Sequence, residues 1–473
     1  MKWSKWWVGL LGVWVAAGQV WATDYTWVSA AAGLWSTGTN WSGGSGPVSS
    51  PTSNVTASAF GNAQLNVSST IGNLSLLLPA NTWQIFAASG TDVTLTVSGT
   101  ILEDDLGSGA GKQLLLANSN DGTGKLRVIA NEISTAGRLF LGTSTTNNAL
   151  EELRIGTLNL NSQTSRTVSI TSATAVIGTV NFTGTAVLDI YRSAAGTGGV
   201  TVGTLNGNSN ARLEGSTIAS TANAVLTING ASGTGVYSGA ILDGYISGGG
   251  KVSVVKQGEG KQVFAGTSTY TGSTSVTAGT LLVNGAHTGA GAYTISGGTI
   301  GGSGSITTSN ANFTVTSGGH LAPGDVTPGT LTLALGTGTL DVSGAVSLNN
   351  TGALVFDLGA VGASDQILLG TGVLNIGSGV LNIDDFSFTT AAGFGAGTYT
   401  LFDTSSAILG SLGTNLTGTL GGLSVTLQLG DGGNDLQLVA TSVPEPSSVA
   451  LAGFGLVGVV VGIRRRFSRT IRS

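Results

Sequence analysis

The sequence predicts an all-β protein of stacked coils, a β-solenoid, and three observations carry that reading. A short motif recurs as IGTLNL from Ile155, IGTVNF from Ile177 and VGTLNG from Val202, so that Gly156, Gly178 and Gly203 lie 22 and 25 residues apart. Self-similarity at such a period marks a chain that coils on itself, each repeat covering the apolar face of the next. Apolar residues also alternate with Thr, Ser or Asn, as in LTVS from Leu95, LTIN from Leu226, LTLAL from Leu331 and LSVTLQL from Leu423. Period two with β-branched residues predicts strands buried on one face. Between these runs lie clusters of Gly, Ser and Asn that turn the chain at low steric cost, and residues 23–443 hold no long stretch with a 3.6-residue period.

The elements follow in order. Lys2 and Lys5 precede an apolar run from Trp6 to Ala17, and Val20-Trp21-Ala22 places small residues where a signal peptidase reads them. Residues 1–22 are therefore expected to be a secretory signal peptide, cut between Ala22 and Thr23. Residues 23–62 carry Trp27, Trp35 and Trp41 in a Gly, Ser and Asn setting. An open solenoid end exposes unpaired strand edges and needs a cover, so this segment is expected to be a cap whose tryptophans plug the first coil rather than stack on sugars. Residues 63–442 form the solenoid, with about 20 to 25 residues per coil if each repeat is one turn. Asn159, Asn181 and Asn206 each follow a repeat glycine by three residues, and Asn375 and Asn382 repeat that spacing. Stacked coils would align the first three as an amide ladder.

Composition narrows the function. Only 9% of the 473 residues are charged while 41% are hydrophobic, against roughly 25% charged in an ordinary soluble domain. That combination is the reverse of a disordered chain's. There is no cysteine, so an exported form has neither disulfides nor thiol chemistry. Residues 23–443 hold 11 basic and 22 acidic residues, a net charge of −11, and an acidic surface repels phosphate backbones. Nucleic acid is not an expected partner. No Lys or Arg lies between Lys261 and Arg464, although nine Asp fall between Lys261 and Val443.

An enzyme needs a constellation, and the candidates are few. Glu103-Asp104-Asp105, Glu151-Glu152 and Asp384-Asp385 are acidic clusters, but adjacent residues on a strand point to opposite faces, and solvated turns account for them more simply than acid–base pairs. His287 and His320 are the two histidines; neither has metal-ligand spacing, and without Cys no zinc-type cluster can be built. GDGGNDLQL from Gly430 has the look of a calcium-binding glycine-rich nonapeptide, but it occurs once, and such ions sit between stacked copies. No catalytic residue, metal or cofactor is expected.

Two stretches resemble known families. Residues Val254 to Val283, with Lys256, Gly258, Gly260, Gly266, Tyr270, Thr271, Gly272, Thr274, Ala278, Gly279, Thr280 and Leu281 at the matching positions, resemble the autotransporter-associated β-strand repeat. The chain departs from that pattern at Thr267-Ser268 and at Lys261-Gln262. The resemblance implies a right-handed parallel β-helix. Residues 443–473 are similar to a PEP-CTERM sorting signal: the motif Val443-Pro444-Glu445-Pro446, an apolar run from Val449 to Ile463, and the basic cluster Arg464, Arg465 and Arg466. It implies a hydrophobic sorting helix with a cytoplasmic basic tail, held transiently in the inner membrane until an exosortase-type enzyme removes it. The run of 15 residues is short against the roughly 20 that span a bilayer comfortably, which suits a processing signal. The expected protein is thus a noncatalytic exported surface or matrix solenoid, with exopolysaccharide as its partner. The competing readings are a β-helix polysaccharide lyase or hydrolase, and a Thr-rich face that binds ice or a crystalline surface.

Overall fold

In the computed structural model the described residues are 23–29, 32–57, 61–76, 82–103, 113–119, 123–142, 150–162, 167–172, 174–190, 198–215, 223–244, 250–346 and 352–443. They belong to a parallel β-solenoid. The chain forms two compact units, the first running to Gly156 and the second continuing from Thr157.

In the first unit the coils stack their strands in two parallel ladders, one coil adding two short strands, Ser69–Ile71 and Leu74–Leu76, to the first. One ladder pairs Thr23–Trp27 with Ser53–Ala57, then Ser53–Ala57 with Leu74–Leu76. Asp92–Glu103 follows on Leu74–Leu76, and Lys125–Thr135 on Asp92–Glu103. The other pairs Gly61–Leu65, Thr82–Ala87, Gln113–Ala117 and Arg138–Leu141 in turn. The alternation seen in the sequence becomes an alternation of faces: in Asp92–Glu103, Val93, Leu95 and Val97 point inward while Thr94 and Thr96 stay half-exposed. Burying each such side chain contributes about 1.5–3 kcal/mol. The segment 23–62 takes part in these ladders through Thr23–Trp27 and Ser53–Ala57, and Trp27, Trp35 and Trp41 are buried inside the first coils.

The second unit also stacks its strands in parallel over more coils, with three ladders side by side in its middle. Successive register partners Ile177, Val202, Ile228, Lys256, Val276, Ile295 and Val315 carry one ladder through the unit. Coil length varies more than the sequence period suggests. Along this ladder Val254, Thr274, Tyr293, Phe313, Leu340 and Leu374 are 20, 19, 20, 27 and 34 residues apart. The inward face has to repeat at each coil, but the outward turns are free to lengthen, so the 20 to 25 residues per coil read from the sequence underestimate the later coils.

Within the expected solenoid span the last strands change direction. Gly397–Thr404 pairs antiparallel with Asp435–Ser442, which pairs antiparallel with Leu423–Gly430, and that strand pairs antiparallel with Thr417–Leu420. The edge of Gly397–Thr404 is thereby covered by the chain's own return. Among the described residues no helix is long and apolar enough to cross a membrane; the run from Val449 to Ile463 lies outside them.

Candidate functional site

The repeat at residues 254–283 runs through one coil of the second unit and into the next, and each residue type in it has a physical task. Val252–Lys256 and Lys261–Phe264 stack beneath Thr274–Val276 and Thr280–Val283. Lys256, only 1% exposed, ends the first strand facing inward. Its Nζ donates to the backbone carbonyls of Gln257 (3.1 Å), Gly258 (2.6 Å) and Ala278 (3.3 Å), so one ammonium joins a corner to the coil above. Burial pushes its pKa down, opposed by the nearby Glu259 carboxylate. Gly258 and Gly279 have φ of +74° and +62°, the left-handed region that glycine enters without strain. A Cβ on Gly279 would strike the Lys256 ammonium. The Lys-x-Gly-x-Gly opening and the later Ala-Gly-Thr step are two halves of one cage.

The next corner is built from Tyr270 and Thr271. Asp243 accepts the Thr271 N–H and hydroxyl and also the Val252 N–H, tying three coil segments to one carboxylate. Tyr270 and Thr274 share a hydrogen bond between their hydroxyls of 2.7 Å. The Tyr270 ring stacks on His287 at 4.0 Å between centroids and 20° between planes. His287 Nε2 donates to the Tyr270 carbonyl at 2.9 Å, which leaves Nδ1 to accept the Tyr293 hydroxyl at 2.6 Å. Burial lowers the His287 pKa, so this imidazole is a neutral core group.

The asparagines predicted to stack are brought together. Asn181 Nδ2 donates to Asn159 Oδ1 at 2.9 Å, and Asn206 Nδ2 donates to Asn181 Oδ1 at 3.0 Å. Asn206 Oδ1 then accepts the Val236 N–H of the next coil. Asn375 makes the same step onto a carboxylate, donating to Asp341 Oδ1 at 3.1 Å. Asn382 instead opens a short helical turn: its Nδ2 donates to the Val380 carbonyl, and its Oδ1 accepts the Asn415 N–H. The first unit contains a ladder that the repeat spacing does not reveal, in which Asn73 donates to Asn54 and Asn54 to Asp24. Its signal was present in the Ser53-Asn54 and Gly72-Asn73 pairs at strand starts, but its residues do not follow a Gly-Thr motif.

The acidic clusters are engaged in holding the fold. Glu103, 3% exposed, accepts the Thr135 hydroxyl and the Gly137 N–H at 2.6 and 2.7 Å; Asp104 and Asp105 lie outside the described residues. Glu151 pairs with Lys125, and Glu152 with Arg154 and Arg127. Asp385 accepts the Asn382 N–H at 2.7 Å, and burial pushes its pKa up to about 6. His320 Nδ1 donates to the Gly352 carbonyl while Asp325 pairs with Lys261, so the two have separate tasks. Asp431, at φ +46°, occupies a turn. Among the described residues no group of three or more His, Asp or Glu could hold a metal ion. Trp27, Trp35 and Trp41 pack edge to face at 5.0 and 4.9 Å, and with at most 2% exposure they offer no face to a sugar ring. Buried groups that the sequence did not single out include Asp189, Glu214 and Asp365.

The two ends are placed as far as the described chain reaches. Ala22 lies outside it, and Thr23 begins the first strand, its N–H bonded to the Thr52 carbonyl. At the other end Val443 is exposed, one residue past the strand Asp435–Ser442; Pro444, Glu445, Pro446, Arg464, Arg465 and Arg466 lie outside the described residues. No curated protein and no solved structure matches the chain. Residues 254–283 match the passenger-associated-transport-repeat, and residues 442–466 match the PEP-CTERM protein-sorting motif. The chain thus joins a passenger-type repeat, set in a parallel β-solenoid, to a sorting motif that implies export and processing by an exosortase, a membrane enzyme, with a cell-surface or extracellular destination.

Proposed function

We propose that the protein is a noncatalytic structural solenoid of the cell surface or extracellular matrix, released or transferred outward by exosortase cleavage, with exopolysaccharide as its partner. The observation that carries the reading is the sorting motif at residues 442–466 directly after a closed solenoid. Its support is the use of buried and paired side chains as internal fastenings: Lys256 in a carbonyl cage, Glu103 on Thr135 and Gly137, and Asp385 on its own turn. A chain without cysteine depends on such repeated bonds for durability outside the cell.

Mass spectrometry of the exported form tests the route. The processed chain is expected to lack Arg464, Arg465 and Arg466, and an exported chain that keeps them contradicts the processing step. Incubation with matrix polysaccharide tests the role: retention is expected without release of reducing or unsaturated ends. Chain cleavage that disappears in the Asp384→Asn, Asp385→Asn double variant would establish the lyase or hydrolase reading instead.

A further inference from the structure

The outer face of the second unit holds a cavity of about 230 Å³. Its floor is three neighbouring strands: Thr330 on Thr330–Asp341, its register partner Gln366 on Gln366–Leu381, and Thr398 and Thr400 on Gly397–Thr404. Tyr399 between the two threonines is turned inward and buried, so Thr398 and Thr400 both face out. One wall is the loop that joins Leu354–Leu358 to Gln366–Leu381, and it brings Val361, 54% exposed, over the floor.

That wall is fixed in place. Asp365 accepts the Gly329 N–H on one carboxylate oxygen (2.7 Å) and the Asp357 N–H on the other (2.8 Å), tying the loop to the strand on either side. Ser364 Oγ accepts the Gly359 N–H at 2.9 Å, which closes the loop on itself. The cavity is therefore preformed.

Its chemistry is specific. The hydroxyls of Thr330, Thr398 and Thr400 and the amide of Gln366 make no side-chain hydrogen bond to the described residues, whereas Asn and Thr elsewhere in the unit are commonly bonded from coil to coil. Four uncommitted polar groups converge on one space, beside one apolar side chain. No charged side chain lines it, and the sequence supplies no Lys or Arg from Gln262 to Ile463 to meet an anion. A ligand there is neutral, bears several hydroxyls that both donate and accept, and has a C–H face for Val361. The volume is below the ~300–1,000 Å³ of sites for drug-sized molecules, so it suits a single ring.

We propose that this cavity binds one neutral sugar residue of a glycan chain, an inference that rests on the polysaccharide reading above. The experiment is affinity electrophoresis of the full-length chain in detergent through gels containing dextran, galactan, mannan or the acidic polysaccharide alginate. Thr398→Trp fills the cavity from an exposed position, and Gln366→Ala removes the amide without adding bulk. Retardation by at least one neutral polysaccharide is expected, weakened at least tenfold by Thr398→Trp and about three- to tenfold by Gln366→Ala, at unchanged melting temperature. Retardation that both folded variants retain at wild-type strength overturns the cavity as the site and leaves the polysaccharide reading standing. No retardation in any of the four gels overturns both, and retardation by alginate alone overturns the neutral ligand. If Thr398→Trp does not fold, Gln366→Ala is decisive alone, and its retardation at wild-type strength overturns the cavity as the site.

Discussion

A lysine buried in an apolar coil is stable only when its donors are taken, and Lys256 gives its three hydrogens to three carbonyls. Lys256→Met keeps the stem and removes the ammonium, leaving those oxygens without that donor; a loss of roughly 1–3 kcal/mol follows from the cost of an unsatisfied buried polar group. Urea unfolding of the variant against wild type measures it, and an unchanged midpoint would refute the cage as a fastening. The buried carboxylates set a pH dependence of unusual sign. Asp365 and Asp385 are each pushed up to about 6 by burial, so the folded chain takes up protons before the unfolded chain does. Each therefore contributes stability that rises as pH falls from about 6 toward 4. His287, lowered by burial, acts oppositely, its contribution present above its unfolded pKa and lost as pH falls below it. Thermal unfolding of Asp385→Asn between pH 7 and pH 4 isolates one of these: the wild type is expected to gain on the variant toward pH 4, and parallel curves would remove Asp385 as the source. None of this is legible in the sequence, because sequence reasoning places a charge on the surface by default and only packing shows which charges are enclosed.

Ladders and edges were legible to different degrees. The Asn ladder could be read because the repeat fixes both the spacing from glycine and the face, so equal positions in successive coils meet. Asn382 repeats the spacing but opens a helical turn and meets no second asparagine side chain: its Nδ2 is used locally, and its Oδ1 takes a backbone N–H, that of Asn415. Asn181 is the middle rung, donating to one neighbour and accepting from the other; Asn181→Ala is expected to cost about 1–3 kcal/mol, more than an exposed Asn in a turn, as a melting comparison with Asn415→Ala would show. The reversal of the last strands could not be read, since parallel and antiparallel strands share the same alternation of faces. The closing sheet has a clear consequence: with residues 409–443 deleted, the edge of Gly397–Thr404 loses its partner Asp435–Ser442. Such an edge templates pairing with another chain. Light scattering should report self-association of the shortened chain at concentrations where the full chain remains monodisperse, and a monodisperse truncation would argue against the covering role.

For the whole molecule, the fold class was legible because a solenoid writes its period into the sequence, while coil length was not, since the coils between Phe313, Leu340 and Leu374 lengthen by insertions such as the helical turn Ser343–Val346 while the inward strand positions stay in register. The cavity at Thr330, Gln366, Thr398 and Thr400 was equally hidden: its residues are 70 positions apart at the extremes and meet only through stacking. The charge distribution adds a measurable outcome. Trypsin finds no site between Lys261 and Arg464, so complete digestion of the unfolded chain should release a single peptide beginning at Gln262, whose mass reports where the chain was cut. A peptide from exported protein that still ends at Arg464 would contradict processing. The sorting end adds a mechanical consequence. Asp435–Ser442 runs antiparallel to the strand on either side, through six pairs with Gly397–Thr404, interrupted by a bulge at Leu401, and eight with Leu423–Gly430, and Val443 follows it directly. A pull on Val443 along that strand loads both rows of hydrogen bonds in shear, so they must yield together rather than one after another, and the terminal coil can bear tension while the chain is still tethered.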